Sequence, residues 1–374
     1  MHERRYSFRM TRIPALAAEA LENLLGAALG VAKGDDVAVL VEPADAHHYD
    51  PRVAPWLIAA IDARGAKARI VETAPDADPD DMPENVSQAL ARADHAIFLS
   101  RLGDRIRFKK LAGKASRTMC YLLDAADLET PFARVPYGFQ QDAHRAFLNA
   151  IAGARKATLV CPAGSALQFD FADGLDVSRF ANFTVLNFPV MIFPALSARA
   201  ASGTLALTHA LTSTYTHPYP DDVQPLDGTV ELSIANGAIA KFGGDQAERI
   251  ERHFARVGAH FGVDPLTVDS WHAGINPGTT FRGKALDDIH RWASVAFGSP
   301  RYAHFHMCGR GPGEICGQVF DPTIAFDGHE FWRDGEFVFL AAPEMAPLYE
   351  RYGVDPAIFK GRADIGVPGL RPAV

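Results

Sequence analysis

The chain has 374 residues, of which 48% are hydrophobic and 22% are charged, and its formal net charge at pH 7 is -8. These values are typical of a globular protein, and the length favours two domains over one. The acidic balance excludes the broad basic surface by which proteins bind nucleic acid or anionic lipid. We therefore predict neither a nucleic-acid partner nor a membrane partner.

Four cysteines are scattered along the chain, at Cys120, Cys161, Cys308 and Cys316. Their spacing matches neither a disulfide framework nor a Cys-x-x-Cys zinc motif, and free thiols indicate a reducing compartment. The charged N-terminal segment has no apolar run behind it, and no run reaches the roughly 18 apolar residues that a membrane span needs. We expect a cytoplasmic protein.

The first part of the chain alternates helical and strand patterns. The spacing of apolar residues predicts helices over 13–32, 51–64 and 83–93, and strands over 35–43, 66–73, 95–100 and 117–123. Strands that alternate with helices favour a doubly wound parallel sheet with right-handed crossovers. The predicted class of this N-terminal domain is α/β.

The pattern changes after a helix predicted over 137–151. Alternating apolar runs predict mostly antiparallel strands, and these runs lie at 156–162, 167–173, 203–211, 228–244 and 336–340. Asn236-Gly237 between two apolar runs is a strong signal for a two-residue hairpin turn. We place the boundary after residue 152, so that an α/β domain covers 1–152 and an α+β, largely antiparallel domain covers 153–374.

The side chains that can bind a metal concentrate between Trp271 and Asp321. This span contains four histidines and two acids of interest: His272, His290, His304, His306, Glu314 and Asp321. Neutral imidazoles and carboxylates are ligands that iron, manganese and zinc accept. If 303–308 is a strand, its alternation puts His304 and His306 on one face, where one ion can bind both. The alternative is a set of structural or surface histidines, since the chain has 14.

Other motifs carry weaker signals. The glycine-rich runs at 162–166 and 309–317 lack the lysine of a phosphate-binding loop, and the chain has no Gly-x-Ser-x-Gly elbow. His329 follows an Asp-Gly turn and is expected at the surface. His217 lies in a proline-rich loop, where a structural role is favoured over a substrate contact.

Seven stretches occur in the order found in one enzyme family. They are PAGSALQFDF at 162–171, NFP at 187–189, SGTLAL at 202–207, DGTVELSIANGAIAKFGG at 227–244, WHAGINPG at 271–278, GRGPGE at 309–314 and FDPTIAFDG at 320–328. The chain resembles the family of the thermophilic aminopeptidase T-like metallo-aminopeptidases and their relative 2,5-dihydroxypyridine 5,6-dioxygenase. The resemblance covers most of the chain and implies two domains, a homodimer and a metal in the C-terminal half.

The resemblance also implies where the metal ligands lie. The family ends its site with a His-x-Asp motif, and Val319-Phe320-Asp321 retains the aspartate as Asp321 without the histidine. The family's first ligand corresponds by spacing to Ser270, with His272 two positions later on the same strand face. The additional acids of the two-metal peptidases have no counterpart that we can place, which favours a single-metal site.

The sequence thus predicts a mononuclear iron(II) dioxygenase-like enzyme that cleaves a small hydroxylated aromatic or heteroaromatic ring with O2. The predicted metal ligands are His272, His306 and Asp321. His304 and Glu314 are predicted to act as acid/base groups or alternative ligands, and Arg310 to hold an acidic oxygen of the substrate. A metal-dependent aminopeptidase that uses zinc, cobalt or manganese is the first alternative. A metal-free binding protein is the second.

Overall fold

The computed structural model describes residues 12–107, 109, 113–179, 184–215, 217 and 219–370. The chain divides into two compact units. The first comprises Met1–Gly138 and Phe183–Pro189, and the second comprises Phe139–Asn182 and Val190–Val374. The domain boundary after residue 152 stays a prediction.

Nine α-helices lie in the described part of the chain. They are α1 (Ala15–Glu22), α2 (Val53–Ala63), α3 (Glu84–Arg92), α4 (Leu102–Arg105), α5 (Pro131–Arg134), α6 (Tyr137–Ile151), α7 (Ala247–Phe261), α8 (Ile289–Ala296) and α9 (Ala346–Tyr352). A π-helical turn continues α1. α7 buries Ile250, Phe254 and Val257, whose spacing of i, i+4 and i+7 forms one apolar stripe. Within the described ranges, no helix is long and apolar enough to cross a membrane.

In the residues that the structure describes, the strands form three sheets. They are β1 (Asp36–Val41), β2 (Lys67–Glu72), β3 (His95–Leu99), β4 (Ser116–Cys120), β5 (Lys156–Val160), β6 (Ala166–Asp170), β7 (Leu186–Phe188), β8 (Leu196–Ser197), β9 (Ala201–Leu207), β10 (Ala210–Ser213), β11 (Gln224–Pro225), β12 (Val230–Ala235), β13 (Ala238–Gly243), β14 (Val268–Ala273), β15 (Tyr302–Met307), β16 (Ile315–Phe320), β17 (Thr323–Phe326) and β18 (His329–Trp332).

The first unit is built on a parallel sheet with the order β2-β1-β3-β4-β7. α2 connects β1 to β2 and α3 connects β2 to β3, as parallel pairing requires. Five of the six residues of β1 are buried, which is the pattern of a strand covered on both faces. The predicted α/β class is confirmed. β7 was not predicted, because a strand of three residues carries too short a pattern to reveal its period.

The second unit contains two antiparallel sheets. Their orders are β13-β12-β9-β6-β5-β17-β18 and β11-β10-β16-β15-β14-β8. Asn236 and Gly237 join β12 to β13 with φ angles of 49° and 72°, the left-handed pair that a two-residue hairpin needs. The predicted α+β, largely antiparallel class of the C-terminal part is confirmed.

Aromatic rings join these two antiparallel sheets. The ring of Trp271 in β14 stacks on Phe169 of β6 with centroids 4.6 Å apart, and it lies 6.5 Å from Phe326 of β17. Phe305 of β15 lies 6.3 Å from Phe169. Trp271 and Phe305 are fully buried, and burial of a side chain of this size stabilises the fold by about 3 kcal/mol. One face of β14 and β15 is therefore fixed against the seven-stranded sheet.

The predicted strand at 336–340 is wrong. The segment Val338–Ala341 is a short 3-10 helix that follows a turn at Asp334-Gly335. The rings of Phe337 and Phe339 pack on Phe147 of α6, with centroids 5.4 Å and 5.8 Å away. The apolar pattern thus indicates burial correctly, but it does not specify whether the buried segment pairs as a strand.

Candidate metal centre

Three histidines share one face of the six-stranded sheet. His304 and His306 are two residues apart in β15, and His272 of β14 is the cross-strand partner of His304. Side chains in both relations point to the same face of a sheet. The alternation expected for His304 and His306 is therefore present, and strand pairing adds His272 to them.

The three imidazoles lie in direct contact. Nε2 of His272 is 3.1 Å from Nε2 of His306, and the ring centroid of His272 is 4.2 Å from that of His304. Each ring offers a nitrogen, and these three nitrogens lie within 4.8 Å of one another. The residues are 7%, 6% and 4% exposed in the order His272, His304 and His306. They form a compact, buried donor set that an ion could occupy.

The protonation of His272 is set by a backbone carbonyl. Nδ1 of His272 lies 2.9 Å from the carbonyl oxygen of Phe193, which can only accept a hydrogen bond. Nδ1 therefore carries the proton in the neutral ring, and the lone pair on Nε2 faces His306. A hydrogen bond of this kind orients metal-binding histidines and fixes their tautomer.

The strand beside the histidines contributes neutral side chains. In β16, Gln318 is the partner of His304 and Cys316 is the partner of His306. Burial raises the pKa of the Cys316 thiol to about 12, so the thiol is protonated at neutral pH. The hydroxyl of Tyr302 lies 3.9 Å from Cys316 Sγ, and burial raises its pKa well above 10.0. These groups leave the charge of a bound cation uncompensated.

Asp321 is engaged in a buried ion pair outside the three-histidine group. Nε of Arg301 donates to Oδ1 of Asp321 at 2.7 Å, and Nη2 donates to Oδ2 at 2.9 Å. The two side chains are 3% and 2% exposed. Asp321 is not among the residues whose ligand atoms cluster with the histidines. The structure thus brings His272 and His306 together with His304, and it places Asp321 against Arg301.

Glu314 and Arg310 also lie outside the group. Glu314 precedes β16, and both of its carboxylate oxygens lie 3.3 Å from Nδ1 of His217. Burial raises the pKa of Glu314, and the charge and hydrogen bond of His217 partly oppose that rise. Arg310 is exposed in the loop between β15 and β16. The roles predicted for Glu314 and Arg310 stay predictions.

Two neighbours of the histidines carry no signal in the sequence. The Phe193 carbonyl is 79 residues away from His272 along the chain, and any residue offers the same backbone oxygen. Cys316 becomes the partner of His306 only through the pairing of β15 with β16. Cys316 could have been identified only by predicting the register between β15 and β16.

A parallel-sheet unit followed by an antiparallel unit is a fold known from solved structures. The chain is similar to 2,5-dihydroxypyridine dioxygenase from Pseudomonas putida KT2440, with a TM-score of 0.59 and 16% identity over 90% of this chain and 99% of that chain. It is also similar to wild-type AmpT from Thermus thermophilus, with a TM-score of 0.51 and 11% identity over 86% of this chain and 99% of that chain. No family model and no curated protein matches the sequence. The predicted resemblance is confirmed as a similarity of fold.

Proposed function

We propose that the protein is a mononuclear iron(II) dioxygenase that cleaves a small hydroxylated aromatic or heteroaromatic ring. In this proposal His272, His304 and His306 hold the ion. The observation that carries it is the buried cluster of three imidazoles, whose ligand nitrogens lie within 4.8 Å of one another. The fold shared with a dihydroxypyridine dioxygenase supports the choice of reaction.

The spacing of two of the imidazoles fits a shared ion. Two ligands that are each about 2.1 Å from one ion lie about 3.1 Å apart when the angle between them is about 95°. Nε2 of His272 and Nε2 of His306 are 3.1 Å apart. The Phe193 carbonyl also leaves the lone pair of His272 Nε2 available in that direction. Donor type, spacing and tautomer therefore agree with a metal site.

This proposal replaces Asp321 by His304 in the predicted ligand set. Both oxygens of Asp321 already accept hydrogen bonds from Arg301, and removing that carboxylate would leave a buried guanidinium without its counter-ion. His304 is directly opposite His272, and its ligand nitrogen belongs to the same cluster. Asp321 as a ligand stays a prediction that the metal analysis below tests.

A ligand set of three neutral imidazoles favours an anionic substrate. A divalent ion keeps its full charge of +2 when no carboxylate ligand neutralises it, so ionised oxygens are attracted to it. Iron(II), when bound, supplies the redox chemistry that lets O2 react with an electron-rich ring. The buried histidines hold the site, and the ring of Tyr302, with its centroid 5.3 Å from that of His304, helps to exclude water from it.

Glu314 and Arg310 keep supporting roles in the proposal. A raised pKa makes Glu314 a proton donor or acceptor closer to neutral pH, and the half-exposed His217 connects it to solvent. Arg310 would attract an acidic ring from solution. A cytoplasmic location and a homodimer also stay predictions.

Metal analysis of anaerobically purified protein tests the proposal. Wild type is expected to hold about one iron per chain, and His272→Ala, His304→Ala and His306→Ala are expected to lose it. The matched control is His329→Ala, since His329 is an exposed histidine of β18. The iron-loaded wild type should consume O2 when dihydroxylated rings are added. Asp321→Asn is expected to keep the iron.

The outcomes separate the alternatives. Loss of iron in Asp321→Asn without unfolding would favour the ligand set predicted from the sequence, in which Asp321 binds the metal with His272 and His306. Two zinc, cobalt or manganese ions with peptide hydrolysis would favour a metallo-aminopeptidase, for which the described residues offer a single donor group. Absence of metal after reconstitution would leave a metal-free binding protein.

A further inference from the structure

A second polar cluster lies in the loop after β10 and at the start of α8. The hydroxyl of Tyr215 is 3.2 Å from Nδ1 of His290. Nε2 of His290 is 3.9 Å from Oδ1 of Asp222, and Oδ2 of Asp222 accepts a hydrogen bond of 2.8 Å from Ser213. The four side chains form a line of tyrosine, histidine, aspartate and serine.

Strand pairing and a hydrogen bond with Thr212 connect the tyrosine to the row of residues that contains His306. His306 pairs with Cys316 in β16, and Cys316 pairs with Thr212 in β10, so the three share one face. Burial raises the pKa of Tyr215 well above 10.0. Negative charge on Asp222 or Cys316 raises this pKa further, whereas a hydrogen bond with Thr212 lowers it. The Tyr215 hydroxyl is thus a neutral hydrogen-bond donor close to the row of paired residues His306, Cys316 and Thr212.

The backbone of Tyr215 is held in an uncommon conformation. Its φ angle is 59°, in the left-handed region that a bulky residue seldom adopts. Such a conformation persists where the surroundings dictate it. Here it directs the ring to His290, with centroids 5.6 Å apart and planes at 78°.

His290 connects the tyrosine to solvent. The side chain of His290 is 44% exposed, whereas that of Asp222 is 18% exposed. When Nδ1 of His290 carries a proton it donates to the Tyr215 oxygen, and the Tyr215 proton becomes available to another acceptor.

We propose that Tyr215, supported by His290 and Asp222, binds an acidic oxygen of the ring and exchanges a proton with it. In the forward direction the ring oxygen takes the Tyr215 proton, Tyr215 takes the Nδ1 proton of His290, and His290 recovers a proton from solvent. The step is balanced by these three transfers alone. It resembles in logic the hydroxyl, imidazole and carboxylate series of serine hydrolases, with a phenol in place of the serine. The inference rests on the proposed function, because the histidine site supplies the place for the ring.

Anaerobic binding of 2,5-dihydroxypyridine to the iron-loaded protein tests the proposal by absorbance. Tyr215→Phe is expected to weaken binding about tenfold, since a hydrogen bond to an ionised oxygen is lost. It should also raise the pH at which the bound ring ionises by about one unit, because that hydrogen bond favours the anion. His290→Gln should weaken binding several-fold. Iron content should remain that of wild type in both variants.

Tyr219→Phe is the matched control, because it removes a hydroxyl from the same loop, and it should bind the ring as wild type does. Wild-type affinity and an unchanged ionisation pH in both Tyr215→Phe and His290→Gln, with iron retained, would overturn the role of Tyr215. If Tyr215→Phe unfolds, His290→Gln alone tests the proposal, because the His290 side chain is exposed. A wild type that binds no metal would instead overturn the proposed function, and the proton-exchange role would fall with it.

Discussion

Strands β14 and β15 present two faces of opposite character, although their residues alternate along the same chain. One face carries Trp271 and Phe305, whose rings stack on the seven-stranded sheet. The other face carries His272, His304 and His306. Both faces are buried, but the first makes apolar contacts within the core and the second collects donor atoms.

The rigid aromatic face can fix the positions of the histidines on the opposite face. Each histidine is adjacent in sequence to an aromatic residue that is fixed in the core. A buried polar group costs free energy unless it is paired, and the aromatic face offsets that cost through the area it removes from water. We therefore expect changes on the aromatic face to act mainly on stability and changes on the polar face to act mainly on binding.

Trp271→Ala should have a large effect on stability. The substitution opens a cavity beside Phe169 and Phe305, and the expected loss in the free energy of unfolding is about 3 to 5 kcal/mol. Urea denaturation followed by far-UV circular dichroism measures it. Leu266→Ala is the control, because Leu266 is 40% exposed and should change stability by less than about 0.5 kcal/mol. A loss below about 1 kcal/mol for Trp271→Ala would contradict the anchoring role of this face.

Asp321→Asn separates a structural carboxylate from a metal ligand. It leaves the buried guanidinium of Arg301 without its charge partner, and breaking a buried pair in this way costs about 3 to 5 kcal/mol. The double variant Arg301→Met with Asp321→Leu should recover much of that loss. Denaturation and metal analysis of the same samples distinguish the two roles. Wild-type stability combined with loss of iron would show that the pair is not the main function of Asp321.

Iron(II) should stabilise the wild type and leave His304→Ala unchanged. A ligand at about 100 times its dissociation constant raises the free energy of unfolding by about 2.7 kcal/mol when it binds only the folded state. Without added iron the two proteins should differ less, because only the wild type gains stability from binding the ion. Anaerobic thermal unfolding with and without iron gives both comparisons. Equal stabilisation of the two proteins would mean that His304 does not hold the ion.

Glu314 should produce the smallest effect, and one that depends on pH. Burial raises its pKa above 4.5 in the folded protein, so the folded state binds more protons than the unfolded state between 4.5 and the raised value. Stability conferred by protonated Glu314 is therefore present at low pH and declines as the pH rises through this window. Glu314→Gln should remove that decline, as urea denaturation at a series of pH values would show. A steeper decline in the variant would contradict the direction of the shift.

Much of the fold follows from local periodicity. α6 has the bounds that helical spacing predicts, and the turn at Asn236-Gly237 lies where the hairpin signal places it. These features depend on residues close in sequence. The segment over 336–340 was mispredicted because burial against α6 determines its shape, and a short apolar run is compatible with either a strand or a turn of helix.

The part of the candidate site that depends on residues close in sequence could also be predicted. The pattern His304-Phe305-His306 by itself determines that the two imidazoles share a face once the segment is a strand. Tertiary structure alone decided that His272 lies opposite His304 and that Asp321 pairs with Arg301. Those relations depend on which strands lie side by side and in what register, and register is set by contacts between segments far apart in the chain. Sequence thus determined which residues could bind a metal, whereas packing decided which of them meet.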